Sequence, residues 1–397
     1  MRTIQYVRAG CLIGTLGACM LMAGLARADV TTERPGSILI FPKVVNAGGR
    51  NTVIQITNTG NSIDNLQCFY LDAHSDLRGN KVCRETNFYL SLTKQQPTHW
   101  VVGSGRPVDP NDNLTGFDPG LIPPVGTDFV GALVCAEVGE DGVPLAQNKL
   151  KGEATLEGPN GDVSKYSGIA VQGRTVGTNS DLSLDNTEYN ACSTAAQFNF
   201  IPDGANDPVI EALGNGGLCS GGTNAGLGCN ANSASADCPG TGGGTCSTGG
   251  SSVFNTITVL PCNLDFRDQI ATSFKLSYLV TDSDEQPFSF SDSVTRQCWA
   301  SINLADLPDA LPTPAGPLLG PYATIRITGA SGGPFFFVGE SFHVDAVGNR
   351  AAAAVNLHTE GLCHNAPDVS CQKDADCNTG VGAAVCDLTA PATIKLP

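Results

Sequence analysis

The stretch Ser37–Ala73, SILIFPKVVNAGGRNTVIQITNTGNSIDNLQCFYLDA, decides the fold class. Ile54 and Ile56 alternate with Val53, Gln55 and Thr57, and Leu66, Cys68 and Tyr70 alternate with Asn65, Gln67 and Phe69. A period of two marks a half-buried strand, because successive side chains leave a strand on opposite faces. Between the two runs, Asn58-Thr59-Gly60-Asn61-Ser62 supplies residues that accept positive φ or bond their own backbone, which predicts a hairpin joining two antiparallel strands. Ser37–Val45 is a third apolar run; Pro42 has no N–H to give a ladder, so it belongs on an edge strand or at a bulge.

Outward from this stretch the pattern recurs. Thr86–Thr93 (TNFYLSLT) alternates, Phe129–Val138 (FVGALVCAEV) is apolar on both faces as expected inside a sandwich, and Gly168–Gln172 (GIAVQ) ends a first group of strands. Arg174–Ser193 is polar and aperiodic. Strand-like runs resume at Ala196–Ile201, Val253–Leu260, Phe274–Val280, Phe288–Val294, Cys298–Ile302, Tyr322–Ile327 and Phe335–Gly339. Long amphipathic helical patterns are absent, and 47 glycines, 24 prolines and 15% charged residues suit short strands broken by turns. The expectation is an all-β chain of two antiparallel β-sandwich domains, residues 29–178 and 196–360, with a linker or long loop at 179–195. A single large sandwich with interleaved strands is the alternative.

The N-terminus reads as an export signal. Arg2 and Arg8 precede an uncharged apolar run, Ala9–Leu25, and Ala26-Arg27-Ala28 offers small residues at the cleavage positions before Asp29. Leu16–Cys19 resembles a lipoprotein cleavage box, but the apolar run continues beyond Cys19, which favours removal of residues 1–28 over lipidation or an uncleaved anchor. The expected location is extracytoplasmic: periplasm, cell surface or medium. Without its three signal-peptide arginines the chain carries a formal charge of −19. Such acidity argues against nucleic acid or an anionic membrane surface as a partner; it suits solubility outside the cell. No run after the signal reaches the length of a membrane span.

Removing residues 1–28 takes Cys11 and Cys19 and leaves fourteen cysteines. An even number in an exported chain, with no C-x-x-C spacing, points to disulfides rather than zinc or thiol chemistry. Eight fall in two cassettes that repeat each other: GLCSGGTNAGLGCNANSASADCPGTGGGTC at 217–246 (Cys219, Cys229, Cys238, Cys246) and GLCHNAPDVSCQKDADCNTGVGAAVC within a C-terminal segment at 361–397 (Cys363, Cys371, Cys377, Cys386). Each holds Gly-Leu-Cys, a second cysteine, Ala-Asp-Cys and a fourth cysteine, too few large apolar residues to form a core, and three possible pairings. Cys68, Cys83, Cys135, Cys192, Cys262 and Cys298 remain, with fifteen possible pairings.

The ILIFPKV run, the Asn51–Tyr70 segment, the FYLSLTKQQPTHWVV run and the Ala-Asp-Cys cassettes together resemble a group of exported bacterial proteins with immunoglobulin-like β domains, whose role is itself unassigned. The resemblance covers the N-terminal half and the cassettes. It implies that both expected sandwiches are immunoglobulin-like, and it transfers no catalytic residue.

Motifs that carry chemistry are sparse. Gly329-Ala330-Ser331-Gly332-Gly333-Pro334 is similar to the segment around the nucleophile of trypsin-like proteases, and Asp72-Ala73-His74-Ser75 to a degenerate histidine motif. Ala330 replaces the expected aspartate, so a glycine-rich hairpin is the better reading. No G-x-S-x-G, H-E-x-x-H, P-loop or G-x-G-x-x-G pattern occurs. His74, His99, His343, His358 and His364 are scattered, which suits packed or surface residues better than a metal site. Asp109, Asn111 and Asn113 begin an EF-like loop that Leu114 breaks. The weak calcium candidates are Asp282, Asp284 and Glu285, with Asp374 and Asp376 as a further pair. Turn chemistry accounts for the same residues without an ion. Trp100 and Trp299 are expected in the core, and the Phe335–Phe337 triplet must turn at least one ring outward, toward another domain or a partner. The function expected is a non-enzymatic structural or interaction protein that meets another surface protein or a glycan. Alternatives are a secreted hydrolase without a motif and a calcium-dependent adhesion or carbohydrate-binding module.

Overall fold

A computed structural model describes residues 34–108, 120–159, 161–175, 179–201, 252–304, 307, 322–330, 333–344, 350–356 and 389–397, together with short backbone strands within 217–247 and 361–371. The described chain is all-β, and its sheets are antiparallel apart from one short parallel pairing. The first half contributes β1 (Ile38–Asn46), β2 (Asn51–Asn58), β3 (Asp64–Asp72), β4 (Arg84–Leu92), β5 (Pro97–Val101), β6 (Phe129–Val138), β7 (Leu150–Glu157), β8 (Val163–Ser167) and β9 (Ile169–Val171). They form a five-stranded sheet, β4-β3-β6-β1-β9, and a four-stranded sheet, β5-β2-β7-β8.

Two expectations for Ser37–Ala73 meet different outcomes. Pro42 does sit at a bulge: Phe41 pairs with Leu133 but Val44 with Gly131, so β1 carries one extra residue there. The expected hairpin is not formed, because β2 and β3 belong to different sheets. Asn58–Ser62 is instead an arch from one sheet to the other. Ile54 and Ile56 from one side, and Leu66, Cys68 and Tyr70 from the other, enter the same core. The buried Asn58 side chain holds the arch by donating to the carbonyls of Ser62, Leu92 and Thr93 and accepting the N–H of Gly60. Alternation reports which residues face a core, and a hairpin and an arch satisfy it equally.

The second half supplies β10 (Asp181–Leu184), β11 (Cys192–Ser193) and β12 (Ala195–Phe200), then the cassette strands β13 (Gly217–Cys219), β14 (Gly228–Cys229) and β15 (Cys246–Ser247). There follow β16 (Ser252–Pro261), β17 (Leu264–Asp265), β18 (Ser273–Phe274), β19 (Leu276–Thr281), β20 (Pro287–Ser291), β21 (Arg296–Gln297), β22 (Ala300–Asn303), β23 (Ala323–Gly329), β24 (Phe335–Val344) and β25 (Arg350–Asn356). The second cassette adds β26 (Gly361–Cys363) and β27 (Ala366–Cys371), and the tail adds β28 (Thr389–Ala390) and β29 (Ala392–Lys395). Sheets β12-β23-β19-β20 and β22-β16-β24-β25 share a core of Phe198, Ile257, Val259, Tyr278, Ile325, Phe335 and Phe337.

The sheets do not resolve into the two immunoglobulin-like sandwiches expected. A third core joins the halves: Ile38, Ile40, Phe69, Val134 and Val171 of the five-stranded sheet pack with Leu182, Leu260, Phe266, Trp299, Phe336 and Ile394. β1, β3 and β6 are therefore buried on both faces, with Leu39, Phe41, Cys68, Leu133 and Cys135 turned to the opposite core. A face that also packs against the second half cannot be the solvated exterior of an independent sandwich. The Cys68–Cys135 disulfide departs from the immunoglobulin pattern too, since it bridges directly opposed residues of neighbouring strands rather than two sheets. Within 179–195, where a linker or long loop is expected, β10 pairs with β29 and β11 with β28.

The seam carries a buried ion cluster. Glu340 on β24 is fully buried and binds Lys43 Nζ at 2.6 Å, the Arg50 guanidinium through both oxygens, and the Ser164 hydroxyl at 2.7 Å. Lys43 also donates to Thr256 Oγ1 at 3.0 Å, and Arg50 lies 4.8 Å from the Phe342 ring centroid. Burial alone raises the Glu340 pKa, but the cations Lys43 and Arg50 more than reverse it and hold the group at about 2. The Trp299 indole donates to the Pro42 carbonyl at 2.7 Å, and Cys83–Cys298 closes the same seam covalently. Glu340→Gln is expected to cost about 3–5 kcal/mol in urea unfolding at pH 7, because it leaves Lys43 and Arg50 uncompensated. The depressed pKa places the wild-type contribution above the ordinary glutamate pKa and removes it as pH falls toward about 2. The wild-type advantage over the variant should narrow across that acid window, and unfolding curves at stepwise lower pH check it.

Candidate functional site

Of the protease-like constellation, the described residues include the histidine segment and not the serine. His74 follows the end of β3, with Nδ1 2.8 Å from Asp72 Oδ1 and Nε2 3.5 Å from Asp128 Oδ2, so carboxylates face both ring nitrogens. Ser331 and Gly332 lie outside the described residues. The flanking chain joins β23 to β24, with the Ala330 N–H donating to Lys275 O and the Cys262 N–H to Pro334 O.

Of the calcium candidates, Asp282 spends its carboxylate on the turn between β19 and β20, accepting the N–H of Asp284 at 2.9 Å and of Gln286 at 2.7 Å. Glu285 adopts positive φ in that turn. This is turn chemistry of the kind aspartate performs without an ion. Asp109, Asn111, Asn113, Asp374 and Asp376 lie outside the described residues, as do His358 and His364. Among the described residues no three His, Cys, Asp or Glu side chains converge as metal ligands. His99 is exposed on β5, and His343 is half-buried on β24.

The aromatic residues singled out in the sequence behave as core. Trp100 is buried and donates to the Tyr70 hydroxyl at 2.6 Å, and Trp299 fills the seam. Phe335, Phe336 and Phe337 are all buried: Phe336 points into the core shared by the halves, Phe335 and Phe337 into the second-half core. The ring that must leave one sheet face thus meets another part of the same chain.

The six cysteines outside the cassettes form Cys68–Cys135, Cys83–Cys298 and Cys192–Cys262. Cys192–Cys262 lies beside the point where the second cassette rejoins the body, since Cys192 pairs with Ala390. Asn255, fully buried on β16, donates to the Ile201 carbonyl at 2.6 Å and accepts the Ser341 hydroxyl, closing the base of the first insertion onto β24. The second cassette leaves β25 at Asn356, whose side chain donates to Ser167 O at 2.7 Å and accepts the Ser167 N–H at 3.0 Å. It rejoins the body at β28, paired with Cys192.

The repeat seen in sequence holds in backbone register. Gly217 opposes Cys229 in the first cassette and Gly361 opposes Cys371 in the second, so the glycine of each Gly-Leu-Cys faces the second cysteine. In the first cassette Cys219 also opposes Cys246.

Two buried carboxyl sites escaped the sequence reading. Glu340 follows FFFVG, and Glu137 ends the apolar run FVGALVCA. A carboxylate set into a strand apolar on both faces was the available signal, since such a position has no route to water.

No protein-family model and no curated protein matches the chain. Among solved structures, a viral chemokine binding protein, R17 encoded by rodent gammaherpesvirus Peru, aligns over 83% of this chain and 87% of its own at 8% identity, with a TM-score of 0.17. Among the described residues no helix is long and apolar enough to cross a membrane.

Directly opposed strand residues lie at the Cα separation a disulfide spans, about 4.5–5.5 Å. Peptide mapping of the unreduced protein is therefore expected to yield a Cys219–Cys246 linked pair. Recovery of Cys219 bound to Cys229 or Cys238 would show that this register does not dictate the bond.

Proposed function

We propose that the chain is an exported, non-enzymatic interaction protein in which a rigid β body presents the two cysteine-rich cassettes. The observation that carries this reading is where the cassettes are rooted. Ser252, where the first insertion ends, opposes Val344 of β24, and Asn356, where the second begins, opposes Val338 of the same strand. The roots are thus about 20 Å apart along one strand. Buried Asn255 fixes one of them and the Asn356–Ser167 pair the other. Glycine-rich segments of low apolar content contribute little to a core, so two copies kept on a braced frame favour recognition of an external partner. Acidic composition and disulfides support work outside the cytoplasm. A surface protein or a glycan is the partner class this reading favours.

Photo-crosslinking residues introduced into each cassette, in cells that export the full chain, test the proposal. Crosslinks to a discrete partner are expected from the cassettes and not from Lys165 on β8. Replacing residues 217–246 by a flexible linker should abolish the first set while leaving the thermal midpoint of the body unchanged. Crosslinks confined to the sheet surface, or a hydrolytic activity of the purified protein that His74→Ala removes, would overturn it.

A further inference from the structure

Asp64 opens β3 and Glu137 lies on the neighbouring β6. The register sets Leu66 opposite Glu137, so Asp64, two residues earlier, is the diagonal neighbour of Glu137 on the face turned to the first-half core. Asp64 is 1% exposed and Glu137 0%. The Glu137 oxygens accept the backbone N–H groups of Gln147 at 2.8 Å and Lys149 at 2.6 Å. Neither oxygen of Asp64 has a hydrogen-bond partner among the described residues. The cation facing the pair is Lys149, whose Nζ is 3.9 Å from Asp64 Oδ1 but donates to Ser62 Oγ at 2.9 Å. Tyr189 is the remaining ionisable group facing Glu137, and its hydroxyl donates to Leu145 O.

Two ionised carboxylates packed side by side in a buried place are strongly disfavoured, and one ammonium, 3.9 Å from Asp64 and shared with Ser62, does not neutralise both. A proton on one of them converts two facing acceptors into a donor and an acceptor. We propose that Asp64 and Glu137 form a one-proton site that fastens the segment 145–149 and the arch 58–62 to the end of the first-half sandwich, and that loss of this proton to water loosens them. The fastening runs through described bonds: Glu137 to Gln147 and Lys149, Lys149 O to the N–H and hydroxyl of Thr59, and Asn148 to Ser37 and Gly173. Burial, then the charge of Glu137, pushes the Asp64 pKa up to about 7, the direction this geometry requires. A raised carboxyl pKa gives stability that is fully present below the ordinary aspartate value and is lost as pH rises through about 7.

Hydrogen exchange on the full chain, corrected for the intrinsic pH dependence of exchange, tests the site. Protection of amides in 139–150 is expected to fall about tenfold per pH unit between roughly pH 5 and 7 and then level off. Asp64→Asn, which supplies a permanent donor, should flatten that slope while peptides from 276–291 stay unchanged. A flat wild-type profile, or the wild-type slope persisting in the variant, overturns the proposal. Should the variant not fold, infrared titration of the wild-type chain decides: a protonated carboxyl band that disappears near neutral pH is expected, and its absence at pH 6 overturns the site.

Discussion

Glu340 faces two cations in a place that water does not reach, and the relation between the halves depends on that arrangement. Lys43 comes from the bulge of β1, Arg50 from the turn before β2, Ser164 from β8 and Glu340 from the middle of β24. Three stretches far apart in sequence, residues 43–50, Ser164 and Glu340, must coincide before the carboxylate is satisfied. Desolvating three charges costs several kcal/mol each, so the cluster is poor evidence for stability as such. Its role is to reject alternatives. An apolar interface tolerates sliding by a residue, whereas a slip of β24 against β1 would leave Glu340 buried and unpaired. The bulge makes the arrangement possible. Pro42 interrupts the ladder, and its carbonyl, turned from β6, receives the Trp299 indole while Lys43 next to it reaches Glu340. Gly131, which faces Val44 past the bulge, is constrained from its other neighbour, since a Cβ there would collide with the Leu71 carbonyl oxygen of β3.

Much of the body is legible in sequence because strands announce their faces. Alternation located β2 and β3, the missing N–H of Pro42 anticipated the bulge, and the even cysteine number anticipated disulfides. What alternation does not encode is the partner. The Asn58–Ser62 turn suits a hairpin and an arch equally, and the choice was made by distant groups, the Leu92 and Thr93 carbonyls that take the Asn58 amide. The apolar run Phe129–Val138 held more information than a two-layer sandwich uses. A strand apolar on both faces in an antiparallel sheet demands a further layer, and the second half of the chain provides it.

The candidate site divides in the same way. The cassettes were legible as a repeat, and the shared glycine-to-cysteine register shows that the repetition extends to backbone pairing. Their roots were not legible, because Asn255, Asn356 and Ser167 are ordinary polar residues whose importance comes from positions fixed by tertiary pairing. The surroundings of His74 were not legible either. Short motifs imitate catalytic segments easily, whereas the carboxylates about His74 come from one local residue, Asp72, and one distant residue, Asp128. Geometry of that kind orients the ring.

The two buried carboxyl sites respond to pH with opposite signs, and the difference follows from their neighbours. Glu340 has two cations for one carboxylate, so its charged form is favoured and its contribution survives until strong acid. Asp64 and Glu137 are two carboxyls for one ammonium that is engaged elsewhere, so the protonated form is favoured and its contribution fades toward neutrality. Glu340 therefore stays ionised throughout the pH range in which the Asp64 end of the first half changes. Titration of that end loosens one edge without parting the halves, because the seam at β24 and the edge at β3 and β6 draw on separate charges.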